Sequence, residues 1–321
     1  MNTTEDVSDV DATIVITTKD RKEDLRTAVT SALEQTANVE VLVIDDGSCD
    51  GTAKMIREDF PPVRLHREED SAGLIVRRNQ AARLAEGRVI FSIDDDAEFS
   101  TSQVVEQTLS EFDDPLIGAV AIPYVDVKRD NDLQQKAPDG NDQHCTFAFR
   151  GTAHALRRDL FLELGGYREH LVHQGEEMDY CIRMLDAGYA VRLGRSDIIK
   201  HYESPKRSFK RMDYYGRRNE VLFGWHNVPA SYLPLYAART VANTFRTAAR
   251  VGRWRSMITG LGAGFRDCFR YYSARNPVRP DSYQLYRALR KNGPLRLRDI
   301  QDRLHAVDSD VNASIDPVQA A

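Results

Sequence analysis

Val89-Ile90-Phe91-Ser92-Ile93-Asp94-Asp95-Asp96 is the stretch that decides the fold. An apolar run rich in β-branched residues reads as a buried strand, and it ends on three adjacent carboxylates. Like charges a few ångströms apart repel and raise one another's pKa. Such a knot is costly unless positive charge sits on it. A divalent cation would turn the repulsion into binding. Oxygen ligands suit Mg2+ or Mn2+, commonly together with substrate phosphates. The segment therefore points to a metal–phosphate site at the C-terminal end of a strand. The rival is a solvated acidic turn.

A second acidic loop has the same construction. Val39-Glu40-Val41-Leu42-Val43-Ile44 has strand character and ends in Asp45-Asp46-Gly47-Ser48-Cys49-Asp50-Gly51. Gly47 and Gly51 permit tight turns. Upstream, Thr13-Ile14-Val15-Ile16-Thr17 is a strand, and Leu25, Ala28, Val29, Ala32 and Leu33 recur at helical spacing within 22–35. A helix after Gly51, a short strand at 63–65, a helix over 74–85 and a strand at 88–93 continue the alternation. Alternating strands and helices predict a mainly parallel sheet covered on both faces. Open sheets of this kind bind ligands at the C-terminal ends of their strands.

Further along, 103–112 reads as helical, 117–125 as extended and 126–143 as a polar loop or hairpin. A strand is expected at 146–150, helices at 157–163 and 176–187, and short strands at 191–193 and 198–199. Residues 1–11 read as a disordered tail. The expected division is a globular domain over 12–220 and a mostly helical region over 221–321.

Of the 321 residues, 41% are hydrophobic and 29% charged, an ordinary globular composition. The charge is lopsided. Residues 201–300 carry 20 Lys+Arg against 6 Asp+Glu, a net +14, and the rest of the chain carries −19. Cys49, Cys145, Cys181 and Cys268 lack metal-ligand spacing, which argues against a disulfide framework or a zinc site. Reduced thiols and a polar N-terminus lead to the expectation of a cytoplasmic protein. The charge-free stretch 221–238 contains Pro229 and Pro234, which argues against a spanning helix.

Taken in order, these motifs resemble family 2 glycosyltransferases with the GT-A fold. Thr17-Thr18-Lys19-Asp20-Arg21 is similar to that family's first nucleotide loop. Asp45 to Thr52 resembles its DDGS-x-D-x-T signature, and Gly73 to Asn79 resembles the stretch ending in Arg-Asn before the metal loop. Asp94-Asp95-Asp96 resembles the DXD motif. Gly165-Gly166-Tyr167 and Gly175-Glu176-Glu177-Met178-Asp179 resemble the acceptor-side pattern, with Glu177 where Asp is commoner. Arg218-Asn219 is similar to a later Arg-Asn pair. The resemblance spans about residues 12–220.

The resemblance implies a Rossmann-like α/β/α sandwich with a helical extension. It implies inverting transfer of a sugar from a nucleotide-diphosphate donor to a hydroxyl of a glycan, glycolipid or lipid-diphosphate acceptor. It places Thr17, Thr18, Arg21, Asp46, Arg78, Asp94 and Asp95 on the donor. Asp96 and His201, with Asp94, would hold Mn2+ or Mg2+. Glu177 is the first choice of general base, with Asp179 and Glu176 as alternatives. Arg77 and Arg78 are expected to divide into one surface and one pocket arginine.

Two other functions compete. A metal-dependent nucleotidyltransferase would also use clustered aspartates, but no Gly- and Lys/Arg-rich triphosphate loop is evident. A non-catalytic nucleotide-sugar or polyanion-binding protein would not need the acids at 176–179. No G-x-G-x-x-G follows the first strand, which argues against a dinucleotide oxidoreductase. The arginines and aromatics of 206–298 suit an anionic membrane surface, giving peripheral attachment at the cytoplasmic face. Ordinary helix decoration or a homodimer contact is the alternative, and nucleic acid is not an expected partner.

Overall fold

The computed structural model describes residues 10–203 and 208–312, with side chains to Leu304. Residues 1–9 of the expected tail lie outside the described residues. The chain divides into two compact units. Unit 1 comprises residues 1–140, 149–167 and 192–205, and unit 2 comprises 141–148, 168–191 and 206–321.

In chain order the strands are β1 (Ala12–Thr18), β2 (Val39–Asp46), β3 (Arg64–Glu68), β4 (Val89–Asp94), β5 (Ala97–Phe99), β6 (Ile117–Ala121), β7 (Tyr124–Asp126), β8 (Leu133–Gln134), β9 (His144–Thr146), β10 (Ala153–Arg157), β11 (Ala190–Leu193), β12 (Ile199–His201) and β13 (Leu295–Arg296). The α-helices are α1 (Lys22–Leu33), α2 (Thr52–Asp59), α3 (Leu74–Leu84), α4 (Val104–Leu109), α5 (Arg158–Glu163), α6 (Glu176–Asp186), α7 (Phe209–Asn227), α8 (Leu233–Val251), α9 (Trp254–Arg270), α10 (Pro280–Asn292) and α11 (Leu297–Asn312).

In unit 1 the main-sheet strands run in the order β6-β10-β4-β1-β2-β3. β1 pairs in parallel with both β2 and β4, and β3 continues the parallel set. β10 is antiparallel to β4 and β6. A second sheet, ordered β5-β12-β7-β8, lies in the same unit. β1 is buried along nearly its whole length, and Leu25, Ala28, Val29 and Ala32 of α1 join Ile14, Ile16, Val41 and Val43 in the core. The fold is thus α/β, with a mainly parallel sheet flanked by helices.

One local reading is corrected. The strand expected at 146–150 is replaced by β9 and β10, the latter formed by Ala153-His154-Ala155-Leu156-Arg157. That sequence has little β propensity, and pairing on both edges overrides it. The stretch 126–143, read as a loop or hairpin, returns as an antiparallel partner of β7. It carries β8, and Gln135 Nε2 donates to Ile122 O and Ala153 O at 2.8 and 2.9 Å.

Asn79 closes unit 1. Its Oδ1 accepts from Tyr167 N and its Nδ2 donates to Tyr167 O, both at 2.8 Å and buried. Gly166, at φ +64°, lies so close that a Cβ there would come within 2.7 Å of Asn79 Oδ1. The Gly165-Gly166-Tyr167 motif is therefore a docking point for α3.

Unit 2 is mostly helical, with β9 and β13 as an antiparallel pair. Its polar anchor is Asp179, 1% exposed. Arg168 Nη1 and Asn227 Nδ2 donate to Oδ1 at 2.5 and 2.7 Å, and Arg183 Nε donates to Oδ2 at 3.2 Å. Burial alone would push this carboxyl up, but Arg183, Arg168 and the Asn227 amide hold it below the usual range. α9 packs on α7 through glycine: a Cβ on Gly260 would meet Tyr214 O at 2.2 Å, and one on Gly264 would meet Arg218 O at 2.8 Å. Among the described residues, no helix is long and apolar enough to cross a membrane.

Asn79→Ala removes both buried hydrogen bonds to the Tyr167 backbone, so it should cost about 2–4 kcal/mol in urea unfolding. Asp179→Asn removes the buried charge that compensates Arg168 and Arg183 and should cost about 3–5 kcal/mol. The pH dependence has a definite sign. With a folded-state pKa below the unfolded value of about 3.9, the carboxylate's contribution is complete above that value. It is lost as pH falls through the folded pKa. Unfolding measured from neutral to acid pH should show this loss in the parent and not in Asp179→Asn.

Candidate active site

The parallel register puts three strand ends side by side. Thr17 lies opposite Ile44 of β2 and Asp94 of β4, and Thr18 lies opposite Asp45. The loops after these strands therefore converge. They are latched to one another: Cys49 N donates to Asp20 Oδ1 at 2.7 Å, Asp20 N to Ser48 Oγ at 2.9 Å, and Lys22 N to Asp50 Oδ2 at 3.0 Å.

The triplet at the end of β4 is neutralised residue by residue. Asp94 Oδ1 accepts from Arg78 Nη2 at 2.8 Å, and Arg78 also donates to Gly151 O at 2.9 Å. Asp95 Oδ2 accepts from Thr18 Oγ1 at 2.8 Å, and Asp95 Oδ1 lies 3.1 Å from Arg21 Nη1. Asp96 Oδ2 accepts from Arg21 Nη2 at 2.9 Å. Burial pushes the Asp95 carboxyl up to about 7 against the pull of Arg21 and Thr18, with Asp96 and Asp94 adding to the rise. Asp96 goes the other way: despite burial, His201 and Arg21 hold its carboxyl below the usual range.

His201 reaches the triplet from β12. Its Nε2 lies 3.3 Å from Asp96 Oδ1 and 4.0 Å from Asp94 Oδ2. One ligand atom from each of Asp94, Asp96 and His201 can be chosen so that all three lie within 4.8 Å of one another. Two carboxylates and an imidazole form a donor set that fits Mn2+, and also Mg2+ if water completes the shell. Behind the ring, His201 Nδ1 faces Asp126 Oδ2 at 3.6 Å, with β7 and β12 in parallel register at Asp126 and His201. A carboxylate behind a ligating histidine fixes its ring and tautomer. Asp126 lay in the stretch read as a loop, where no periodic signal marks it.

Asp46 is placed differently. Its buried carboxylate accepts from Ser71 Oγ, Ala72 N, Gly73 N and Arg77 Nε at 2.6, 2.8, 3.0 and 2.6 Å. It thereby holds the 71–73 loop, and a Cβ on Gly47 would come within 2.7 Å of Glu69 O just before it. Arg77 and Arg78 do not divide into surface and pocket. Both are buried, Arg77 on Asp46 and Arg78 on Asp94. Successive residues on a helix point about 100° apart, and here each direction meets a carboxylate. Thr17 is half-buried beside Thr18.

The acids of 176–179 open α6 in unit 2. Gly175, at φ +89°, turns the chain into the helix, and Glu176 is buried while Glu177 is half-buried. Asp179 is consumed by the anchor described above and has no exposed face for an acceptor. The preceding loop is strained. Val172 and Gln174 both have positive φ, 65° and 67°. His173 N donates back to Leu171 O at 2.7 Å, making Val172 the centre of a tight turn of the disfavoured hand. Asn219 Nδ2 holds this loop by donating to Leu171 O, His173 O and Gln174 O at 2.8, 2.9 and 2.7 Å. Arg218 supports it through His170 O and Asp267. The Arg218-Asn219 pair visible in the sequence thus positions the acidic turn.

Residues 13–166 match the family model described as Glycosyl transferase family 2. The O-antigen chain rhamnosyltransferase RfbN of Salmonella typhimurium is 26% identical over 190 residues, covering 53% of this chain and 60% of that protein. Glycosyltransferase AglE of Haloferax volcanii is 25% identical over 195 residues, covering 56% and 61%. The matched stretch therefore spans about three fifths of these relatives' length. Among solved structures, the mannosyltransferase PcManGT of Pyrobaculum calidifontis, in complex with GDP-Man and Mn2+, aligns over 95% of this chain and 86% of its own, with 19% identity and a TM-score of 0.55. S. aureus TarS in complex with UDP-GlcNAc aligns over 95% and 92%, with 15% identity and a TM-score of 0.59. Over residues 13–166 the chain is therefore similar to glycosyl transferase family 2, and its fold is that of these solved glycosyltransferases.

Proposed function

We propose that this chain transfers a sugar from a nucleoside-diphosphate donor to a hydroxyl of a glycan or glycolipid acceptor, with inversion at the anomeric carbon. The observation that carries this reading is the meeting of Asp94, Asp96 and His201 at the strand ends. The names of the matched relatives, rhamnosyltransferases of O-antigen chains, favour a glycan acceptor.

Asp94, Asp96 and His201 would hold the cation, which supplies Lewis-acid stabilisation of the leaving diphosphate. Thr17 and Thr18 line the donor side, and Arg21 adds positive charge against the triplet. Arg78 keeps Asp94 oriented. Asp46 serves the donor by fixing the 71–73 loop. Glu177 removes the proton from the attacking hydroxyl. Among the three acids it alone is neither buried like Glu176 nor saturated by cations like Asp179. A single displacement with a carboxylate base inverts the reacting centre, as in inverting glycosidases with the acceptor in place of water.

Glu177→Gln should lower kcat by about 10²–10⁴-fold and leave donor KM nearly unchanged. Normal turnover in this variant, with folding verified, would remove Glu177 from the role. Asp126→Ala should weaken Mn2+ affinity about 10–100-fold by releasing the His201 ring. Mn2+ titration followed by electron paramagnetic resonance reads this directly. The primary test of the function is a screen of nucleotide sugars for donor hydrolysis and transfer with Mn2+ or Mg2+, with chelator as control. Full transfer in metal-free buffer would overturn the cation's part. Absence of turnover and of donor binding across the screen would overturn the transferase reading.

A further inference from the structure

α8 is built inside out for a helix meant to face water, and α9 also turns large apolar residues outward. A soluble amphipathic helix normally buries its large apolar residues. α8 instead buries Thr240, Thr244 and Ala248, while Leu235 and Phe245 stand 53% and 48% exposed. α9 buries Met257 and Leu261 with Gly260, Ala263 and Gly264, yet exposes Trp254, Phe265 and Phe269, the last by 83%. Gly260 and Gly264 let α9 lie against the α7 backbone, which commits that face inward and leaves Trp254, Phe265 and Phe269 outside. Leu235, Ala238, Ala242, Phe245 and Ala249 are spaced three or four apart and share one exposed stripe on α8. Trp254, Ile258, Phe265 and Phe269 form the matching stripe on α9. The two stripes join where the Phe245 and Trp254 rings meet edge to face, 6.1 Å between centroids.

Arginines flank both stripes. At 100° per residue, Arg239, Arg246 and Arg250 fall just beyond the α8 stripe, and Arg255, Arg266 and Arg270 fall beside the α9 stripe. Among the described residues, no carboxylate lies within ion-pair distance of Arg239, Arg246, Arg250, Arg255 or Arg270. From residue 233 to 270 the chain has seven arginines and a single acid, Asp267, which is buried between Arg218 and Arg266. The apolar face thus comes with five arginines that no described carboxylate neutralises.

We propose that the α8–α9 face seats unit 2 on an anionic lipid surface, with the aromatics entering the headgroup–acyl boundary and the arginines on lipid phosphates. Large apolar residues beside a basic row are what an interfacial helix requires, and among the described residues no helix is long and apolar enough to cross. A second copy of this chain fits worse: a two-fold contact apposes the same patch on both partners and brings these unpaired arginines together. The proposal stands apart from the transferase reading, because none of these residues belongs to the site on unit 1 or to the 172–179 turn.

The test is flotation of the full chain with vesicles of phosphatidylcholine alone and of equal parts phosphatidylcholine and phosphatidylglycerol, at low and high salt. Binding to the phosphatidylglycerol vesicles only, weakened by salt, is expected. Each arginine near such a surface is worth about five-fold in partitioning. The triple variant Arg246→Gln/Arg250→Gln/Arg270→Gln should therefore lose on the order of 100-fold. Phe245→Ser/Phe269→Ser should abolish binding at equal surface charge. Trp254 emission should shift to the blue on binding, and Trp254→Phe should remove that shift. All variants should keep parent circular dichroism and donor hydrolysis. No binding to phosphatidylglycerol vesicles at low salt overturns the proposal. So does a concentration-dependent dimer that forms without lipid and is dispersed by Phe245→Ser/Phe269→Ser, which would make the face a contact between copies.

Discussion

Three carboxylates at the end of one buried strand cannot coexist ionised without nearby cations, and unit 1 is arranged around that fact. Arg21 comes from the loop after β1 to Asp95 and Asp96, Arg78 from α3 to Asp94, and His201 from β12 to Asp96 and, more distantly, Asp94. Four segments distant in sequence are thereby drawn to one point. The electrostatics also divide the triplet by role. Asp95 is buried against Thr18 and raised in pKa, whereas Asp96 is held in the anionic form. The outer two acids keep oxygen atoms near the His201 ring, and the middle one is tied into the fold.

Unit 2 solves a similar problem with the signs reversed. Arg168 and Arg183 are brought close together, and Asp179 lies between them with Asn227 completing its hydrogen bonds. Acidic residues in the first turn of a helix favour its dipole, so one stretch of four residues carries two separate duties. Asp179 holds the unit together. Glu177 keeps a side chain with access to its surroundings.

The alternation of strands and helices through residue 94 was legible because β-branched runs and helical periodicity are properties of local sequence. β10 was not legible, because its Ala-His-Ala sequence becomes a strand only through neighbours supplied by β4 and β6. The candidate cation ligands stood out as types, but geometry was needed to find Asp126, which reaches His201 only across β7 and β12. Arg77 and Arg78 show the limit of one-dimensional inference most clearly: two adjacent arginines look redundant until each is seen on its own buried carboxylate. Basic, aromatic composition in the C-terminal region was plain. Which side of each helix faces outward depended on where the glycines let backbones approach.

The turn at Val172 has a consequence for engineering. A β-branched residue at positive φ is destabilising, and Val172 is exposed, so packing offers little in return. Glycine would adopt the same φ without a steric penalty. Yet it would also widen the conformations open to the turn that precedes Glu176 and Glu177, loosening what Asn219 holds fixed. The position is therefore a dial between thermal robustness and precision of the acidic turn, and a search for stabilised variants would find it before it found any residue of the core.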